Sequence, residues 1–283
     1  MDILDKTKTK LDKNGIWVTN VSLLEEESVS QSAWEKIYNY DLKKLVSNRE
    51  SFNKDKLADH IVYIDDSYKF TSQTNYLEIG CGPAYIGEYL MKTHNCYFIG
   101  VDFNYPMLLT LKKYFNTKGY KKYLLIYADI NDMPIKNNTI DYIYGGGVIE
   151  HLPDTNHIVE ELYRVLRRGG VAFNTVPAFS LWWITRCFNN IPSLKGIRKI
   201  FEFMHLKLLK GRILEKYYGY ELSFTVNNLR NLHKKSGFCD IKIGAFAFHP
   251  STNKLKNVLL RNLYYKTQTS IFTTAMYFVS AKK

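Results

Sequence analysis

Leu77-Glu78-Ile79-Gly80-Cys81-Gly82-Pro83-Ala84 is a short apolar run that breaks into a glycine turn. About 20 residues further on, the apolar run Tyr97 to Val101 ends at Asp102. The first run predicts a strand over Tyr76 to Ile79, after which Gly80 and Gly82 let the backbone pass close to a ligand without Cβ interference. From Tyr85 the pattern turns helical. A carboxylate at the tip of the next strand can accept hydrogen bonds from both hydroxyls of a ribose. Together the two pieces predict a cradle for an adenosine-type cofactor.

Spacing separates the cofactor classes. A dinucleotide fold wants G-x-G-x-x-G, because its third glycine lets the helix pack under a pyrophosphate. Here that place is Tyr85, which disfavours NAD and FAD and puts a dehydrogenase last among the readings. The alternative is acid-x-G-x-G with Glu78 before the turn. This resembles motif I of the class I S-adenosylmethionine-dependent methyltransferases, with Ala84 where their third glycine usually stands. The resemblance implies that Glu78 lies near the amino group of the cofactor's methionine part.

Further pieces arrive in the order that resemblance implies. Tyr123 to Ile130 reads as a strand ending at Asp129, whose counterpart binds the adenine amine while the apolar residue after it packs on the ring. Ile140 to Tyr144 runs into Gly145-Gly146-Gly147 and then Val148-Ile149-Glu150-His151-Leu152-Pro153-Asp154. That segment is similar to motif IV of methyltransferases acting on small molecules, quinones, lipids and sugars. Ile158 to Leu166 reads as a helix closed by a glycine C-cap at Arg167-Arg168-Gly169-Gly170, and Val171 to Val176 as a strand. Strands ending in an acid or glycine and separated by helices predict an α/β, doubly wound, mostly parallel sheet with its ligand at the strands' carboxyl ends. The resemblance implies seven strands in the order 3-2-1-4-5-7-6, the last antiparallel, closed by Phe238 to Phe246 and Ser270 to Val279. The implied cofactor residues are Glu78, Gly80, Cys81, Gly82, Ala84, Asp102, Phe103, Asp129, Ile130, Gly145 and Gly146.

The chain divides into residues 1–74, a helical N-terminal cap; 75–177, the S-adenosylmethionine-binding core; 178–223, an insertion; and 224–283, which completes the sheet. The N-terminal part carries Trp17, Trp34, Tyr38 and Tyr40 and a helix over Asn53 to Tyr68, which cover the cofactor or simply pack as core. The insertion opens with Phe179-Ser180-Leu181-Trp182-Trp183-Ile184 and continues as a helix over Ile197 to Leu214. On that helix Ile197, Ile200, Phe201, Met204 and Leu208 share one face. Lys195 to Lys216 holds seven bases and two acids. A basic amphipathic helix beside a tryptophan pair fits a lid over an acceptor, with peripheral membrane contact through 179–216 as a second role. Phe224 to Leu232, closing at Gly237-Phe238, reads as a structural helix.

Composition bounds the rest. With 283 residues, 46% of them apolar, the chain can bury a full core. Four cysteines, Cys81, Cys96, Cys187 and Cys239, lack C-x-x-C spacing, which argues against a zinc or redox motif. The first fifteen residues have no apolar signal core, and no apolar run approaches the roughly 18 residues of a membrane span. The expected location is cytoplasmic, with or without attachment to the membrane's cytoplasmic side. Residues 1–150 hold 18 Lys and Arg against 20 Asp and Glu, and residues 151–283 hold 21 against 7. The basic half suggests an anionic partner, unless it only reflects a lysine-rich composition.

A sulfonium is already an activated methyl donor, so the protein must align an acceptor with it and, where needed, remove a proton. His151 and Glu150 are the candidate catalytic residues, since they follow the fourth strand; each could instead anchor its loop. His205 and His249 are further acceptor-side candidates, for which a core or solvated role is the simpler reading. No metal is expected, because Gly147 stands where relatives with an E-x-x-E-H magnesium site have their first glutamate. The expected reaction is methyl transfer to a small-molecule, lipid or glycan acceptor. A nucleic-acid methyltransferase is disfavoured by the lack of an N/D-P-P-Y/F motif, and a non-catalytic cofactor-binding protein is the remaining alternative.

Overall fold

The computed structural model describes residues 2–20, 25–51, 54–186, 190–210, 212–216, 218–246 and 258–283. The amino-terminal part comprises β1 (Lys10–Leu11), β2 (Trp17–Val18), α1 (Glu25–Ile37), α2 (Leu42–Ser51) and α3 (Lys54–Ser67). The core then runs β3 (Asn75–Ile79), α4 (Tyr85–His94), β4 (Tyr97–Asp102), α5 (Tyr105–Thr117), β5 (Tyr123–Tyr127), β6 (Ile140–Gly146), α6 (Thr155–Val165) and β7 (Leu166–Pro177). The insertion holds β8 (Ile191–Pro192), α7 (Ile197–Glu202), α8 (Arg212–Lys216) and β9 (Leu222–Ser223). The chain closes with α9 (Val226–Lys235), β10 (Cys239–Ala245), α10 (Val258–Gln268) and β11 (Met276–Lys282).

The main sheet has the order β1-β2-β5-β4-β3-β6-β7-β11-β10. Strands β5 to β7 pair in parallel around β3, and β11 runs antiparallel to both β7 and β10. Its seven principal strands thus have the expected 3-2-1-4-5-7-6 order. Alternation along each strand divides the core in two. Leu77, Ile79, Ile99, Val101 and Ile143 join the aliphatic side chains of α6 and α9. Their neighbours Tyr76, Phe98, Tyr142, Tyr144 and Phe173 form an aromatic layer under α2 to α5. In that layer Tyr76 stacks on Phe98 at 5.9 Å and Tyr144 on Phe173 at 6.2 Å. With both faces covered, the strands read as largely apolar runs.

The structure corrects the sequence reading at three places. Lys10 to Val18 forms a β-ribbon rather than helix, and β2 extends the sheet by pairing Trp17 with Ile126. The Arg167-Arg168-Gly169-Gly170 run is no helix C-cap, since α6 ends at Val165 and Leu166 is already extended. The register of β6 on β7 instead slips there, from Ile140 opposite Leu166 to Tyr142 opposite Val171. The insertion helix breaks into α7, a wider π turn at Phe203–Leu208, and α8. The π turn changes the periodicity and rotates His205 and Leu206 inward, leaving Ile197, Ile200 and Leu208 exposed.

Candidate active site

The carboxyl ends of β3, β4 and β6 and the loop after β5 meet at an open-mouthed cavity. Gly80, Asp102, Phe103, Asp129, Ile130 and Gly146 line it. Gly80 and Gly82 both have left-handed backbones, at φ +55° and +43°. A Cβ on Gly80 would stand 2.8 Å from the Val148 side chain, so the turn and the segment after β6 pack on each other only with glycine there.

Asp102 ties this floor together. Its Oδ1 accepts from the Asn104 amide and its Oδ2 from the Gly82 amide, both at 2.7 Å. Burial pushes the carboxyl up to about 6 against those donors. Asp129 Oδ1 accepts from the Asn131 amide at 2.8 Å and side chain at 2.9 Å, which aims the loop after β5.

The other proposed cofactor residues lie behind the cavity wall. Glu78 Oε2 accepts from Gly87 N at 2.9 Å and from the Tyr76 hydroxyl at 3.1 Å, bracing α4 against β3 from within the core. Burial pushes its carboxyl up to about 8. Cys81 is buried with its amide on Val101 O at 3.1 Å. Ala84 starts α4 in a left-handed conformation, φ 50°, strained for a residue with a Cβ. Gly145 sits inside the sheet, where a Cβ would meet Asn174 Oδ1 at 2.3 Å. Tyr85, in the place of a dinucleotide glycine, lies under the Arg49 guanidinium at 4.9 Å, and Arg49 also reaches Pro83 O and the Glu88 carboxylate.

Two of the aromatics expected in the N-terminal cap, Trp34 and Tyr38, form the roof of the cavity, joined by Ser30, which the sequence reading did not single out. All three belong to α1 and its end. Trp34 stacks on Tyr38 at 5.4 Å and on Tyr218 at 5.6 Å, and meets His151 edge-on at 5.4 Å. The i, i+4 spacing of Trp34 and Tyr38 is the signal that was available. Gly219, at φ +82°, lets the insertion touch α1, since a Cβ there would lie 2.5 Å from Ser30 Cα.

Ile149–His151 forms a short 3-10 turn after β6. His151 Nδ1 lies 2.6 Å from the Tyr220 carbonyl, which can only accept. The proton is therefore on Nδ1 and Nε2 keeps a lone pair. Burial pushes the ring down to about 4, so it is neutral at pH 7. Glu150 is 1% exposed and is not among the residues lining the cavity; burial, then the Glu221 carboxylate, raise it well above the ordinary range. His205 is fully buried, and neither ring nitrogen has a hydrogen-bond partner. His249 and Cys187 lie outside the described residues.

Residues 77–174 match the family model of a methyltransferase domain. They are a class I S-adenosylmethionine-dependent methyltransferase domain. A demethylmenaquinone methyltransferase of Anoxybacillus flavithermus (strain DSM 21510 / WK1) is 23% identical over 209 residues, covering 67% of this chain and 81% of that protein. One from Geobacillus stearothermophilus is 26% identical over 161 residues, covering 53% of this chain and 63% of that one. Among solved structures, Haemonchus contortus phosphoethanolamine N-methyltransferase 2, in complex with phosphomonomethylethanolamine and S-adenosylhomocysteine, superposes with a TM-score of 0.60 at 15% identity. That superposition covers 94% of this chain and 62% of the other. The chain thus spans less than two thirds of the Geobacillus and Haemonchus proteins, and the structural likeness is one of fold. The methyltransferase domain takes S-adenosylmethionine as its cofactor.

Proposed function

We propose that the protein transfers the methyl group of S-adenosylmethionine to a small, apolar, ring-bearing acceptor of the quinol or related lipid type. The observation that carries this reading is the wall around His151: Trp34, Val148 and Leu152 offer an aromatic face and aliphatic sides and no charged group. The names of the demethylmenaquinone methyltransferase relatives support the same class. In this reading Gly80, Gly146 and Asp102 hold the cofactor's methionine and ribose parts, and Asp129 and Ile130 hold the adenine. The acceptor's nucleophilic atom attacks the methyl carbon, the C–S bond breaks, S-adenosylhomocysteine leaves as a neutral thioether, and the acceptor's proton passes to water at the cavity mouth.

Alignment is the protein's main contribution. Moving a proton from a phenol, near 10, to an imidazole at about 4 is uphill by roughly 8 kcal/mol, so His151 does not serve as the general base. Membrane contact is part of the proposal. Leu181, Ile184, Ile200 and Phe203 are exposed on the insertion near Lys199 and Lys207, an arrangement suited to an anionic bilayer carrying the acceptor. The direct test incubates the purified chain with S-adenosylmethionine and either a short-chain demethylated naphthoquinol or phosphoethanolamine. A mass gain of one methyl on the quinol alone is expected; methylation of phosphoethanolamine alone would refute the acceptor class.

A further inference from the structure

Glu150, His151 and Glu221 stand together at the buried edge of the cavity. A carboxylate oxygen of each glutamate and a ring nitrogen of the histidine lie within 4.8 Å of one another. The residues are 1%, 7% and 8% exposed, and Glu150 Oε2 has no hydrogen-bond partner among the described residues. Two neighbouring buried carboxylates repel each other, and each costs several kcal/mol to hold away from water unless a cation or proton sits between them. We infer that Glu150, His151 and Glu221 form a binding site for one divalent first-row transition ion of the Mn²⁺ to Zn²⁺ series.

The surrounding bonds fit that ligand. A metal-bound histidine characteristically donates its second ring N–H to a carbonyl or carboxylate, as His151 Nδ1 does to Tyr220 O, leaving Nε2 to coordinate. Glu221 is itself held by the Asn190 amide at 2.6 Å, the outer support that ligating carboxylates have. One imidazole with two carboxylates suits the transition series better than the all-oxygen cages of calcium. Three protein ligands leave a coordination position open, and His151 also lines the cavity, so that position is reachable from the acceptor's end. No local motif announces the site, because Glu221 arrives with the insertion, some seventy residues beyond Glu150. An acceptor oxygen in the open position would lose its proton more readily, to solvent or to a cavity water. The site itself does not depend on the methyl-transfer reading.

The test uses the full chain without a histidine tag, stripped with a chelator and titrated with Co²⁺ while visible absorption is followed, then displaced with Zn²⁺. One equivalent is expected, without the near-ultraviolet band of a thiolate ligand. Glu150→Gln and Glu221→Gln should each weaken binding at least about tenfold. Retained S-adenosylhomocysteine binding shows that each substituted chain is folded. Less than one equivalent in the unsubstituted chain, a thiolate band, or undiminished affinity in either folded variant would overturn the site. Should one variant fail to fold, the other and the unsubstituted chain decide.

Discussion

Asp102 serves the glycine turn and the cavity floor at once, because its carboxylate accepts from Gly82 and Asn104 while lining the cavity. Asp102→Ala should weaken S-adenosylhomocysteine binding by about 1 to 3 kcal/mol, roughly 5- to 150-fold, measured calorimetrically. An unchanged affinity would put the ribose elsewhere. Glu78 makes a pH-dependent prediction. Its folded carboxyl is raised to about 8 from an ordinary 4.5, so its favourable contribution is complete below about pH 4.5 and is lost as pH rises through 8. The uncharged Glu78→Gln should therefore melt progressively higher relative to the unsubstituted chain between pH 5 and pH 9. Parallel melting curves across that range would show that Glu78 is not held in this way.

At the scale of elements, the strands were legible because both faces of the sheet are covered, which makes Tyr76 to Ile79 and Ile140 to Tyr144 apolar runs broken only by one buried acid each, Glu78 and Asp141. The floor of the cavity was legible for a related reason: its residues sit at strand ends, where an acid or glycine interrupts an apolar run. The roof was legible only in part. Trp34 and Glu221 reach the site through tertiary packing alone, and no local spacing records that α1 and the insertion converge. The π turn at Phe203–Leu208 likewise defeats a 3.6-residue count. The convergence can be tested at Gly219. Gly219→Ala should cost about 1 to 3 kcal/mol and lower kcat/KM, since its Cβ would strike the Ser30 backbone. Gly169→Ala has a similar φ of +81° but nothing within 4 Å, so it should cost only backbone strain and spare activity. Equal activity losses in the two would mean that contact between α1 and the insertion does not matter to the site.

Across the whole molecule, the basic excess and most of the exposed large apolar side chains of the described residues fall in the same half. Residues 151–283 carry 21 Lys and Arg against 7 Asp and Glu. Among the described residues no helix is long and apolar enough to cross a membrane. The arrangement predicts salt-sensitive binding to vesicles containing anionic lipid and little binding to neutral ones. The pair Ile200→Asp and Phe203→Asp, both at exposed positions, should abolish sedimentation with such vesicles while leaving cofactor affinity intact. Sedimentation unchanged by the pair would remove the insertion from the membrane contact. The central claim is methyl transfer to an apolar acceptor, and the most direct measurement supplies the purified chain with methyl-labelled S-adenosylmethionine and a cell extract separated into organic-soluble, polar small-molecule, glycan and RNA pools. Label should appear in the organic-soluble pool and disappear with Asp102→Ala. Label confined to RNA, or in no pool despite measurable cofactor binding, would contradict it.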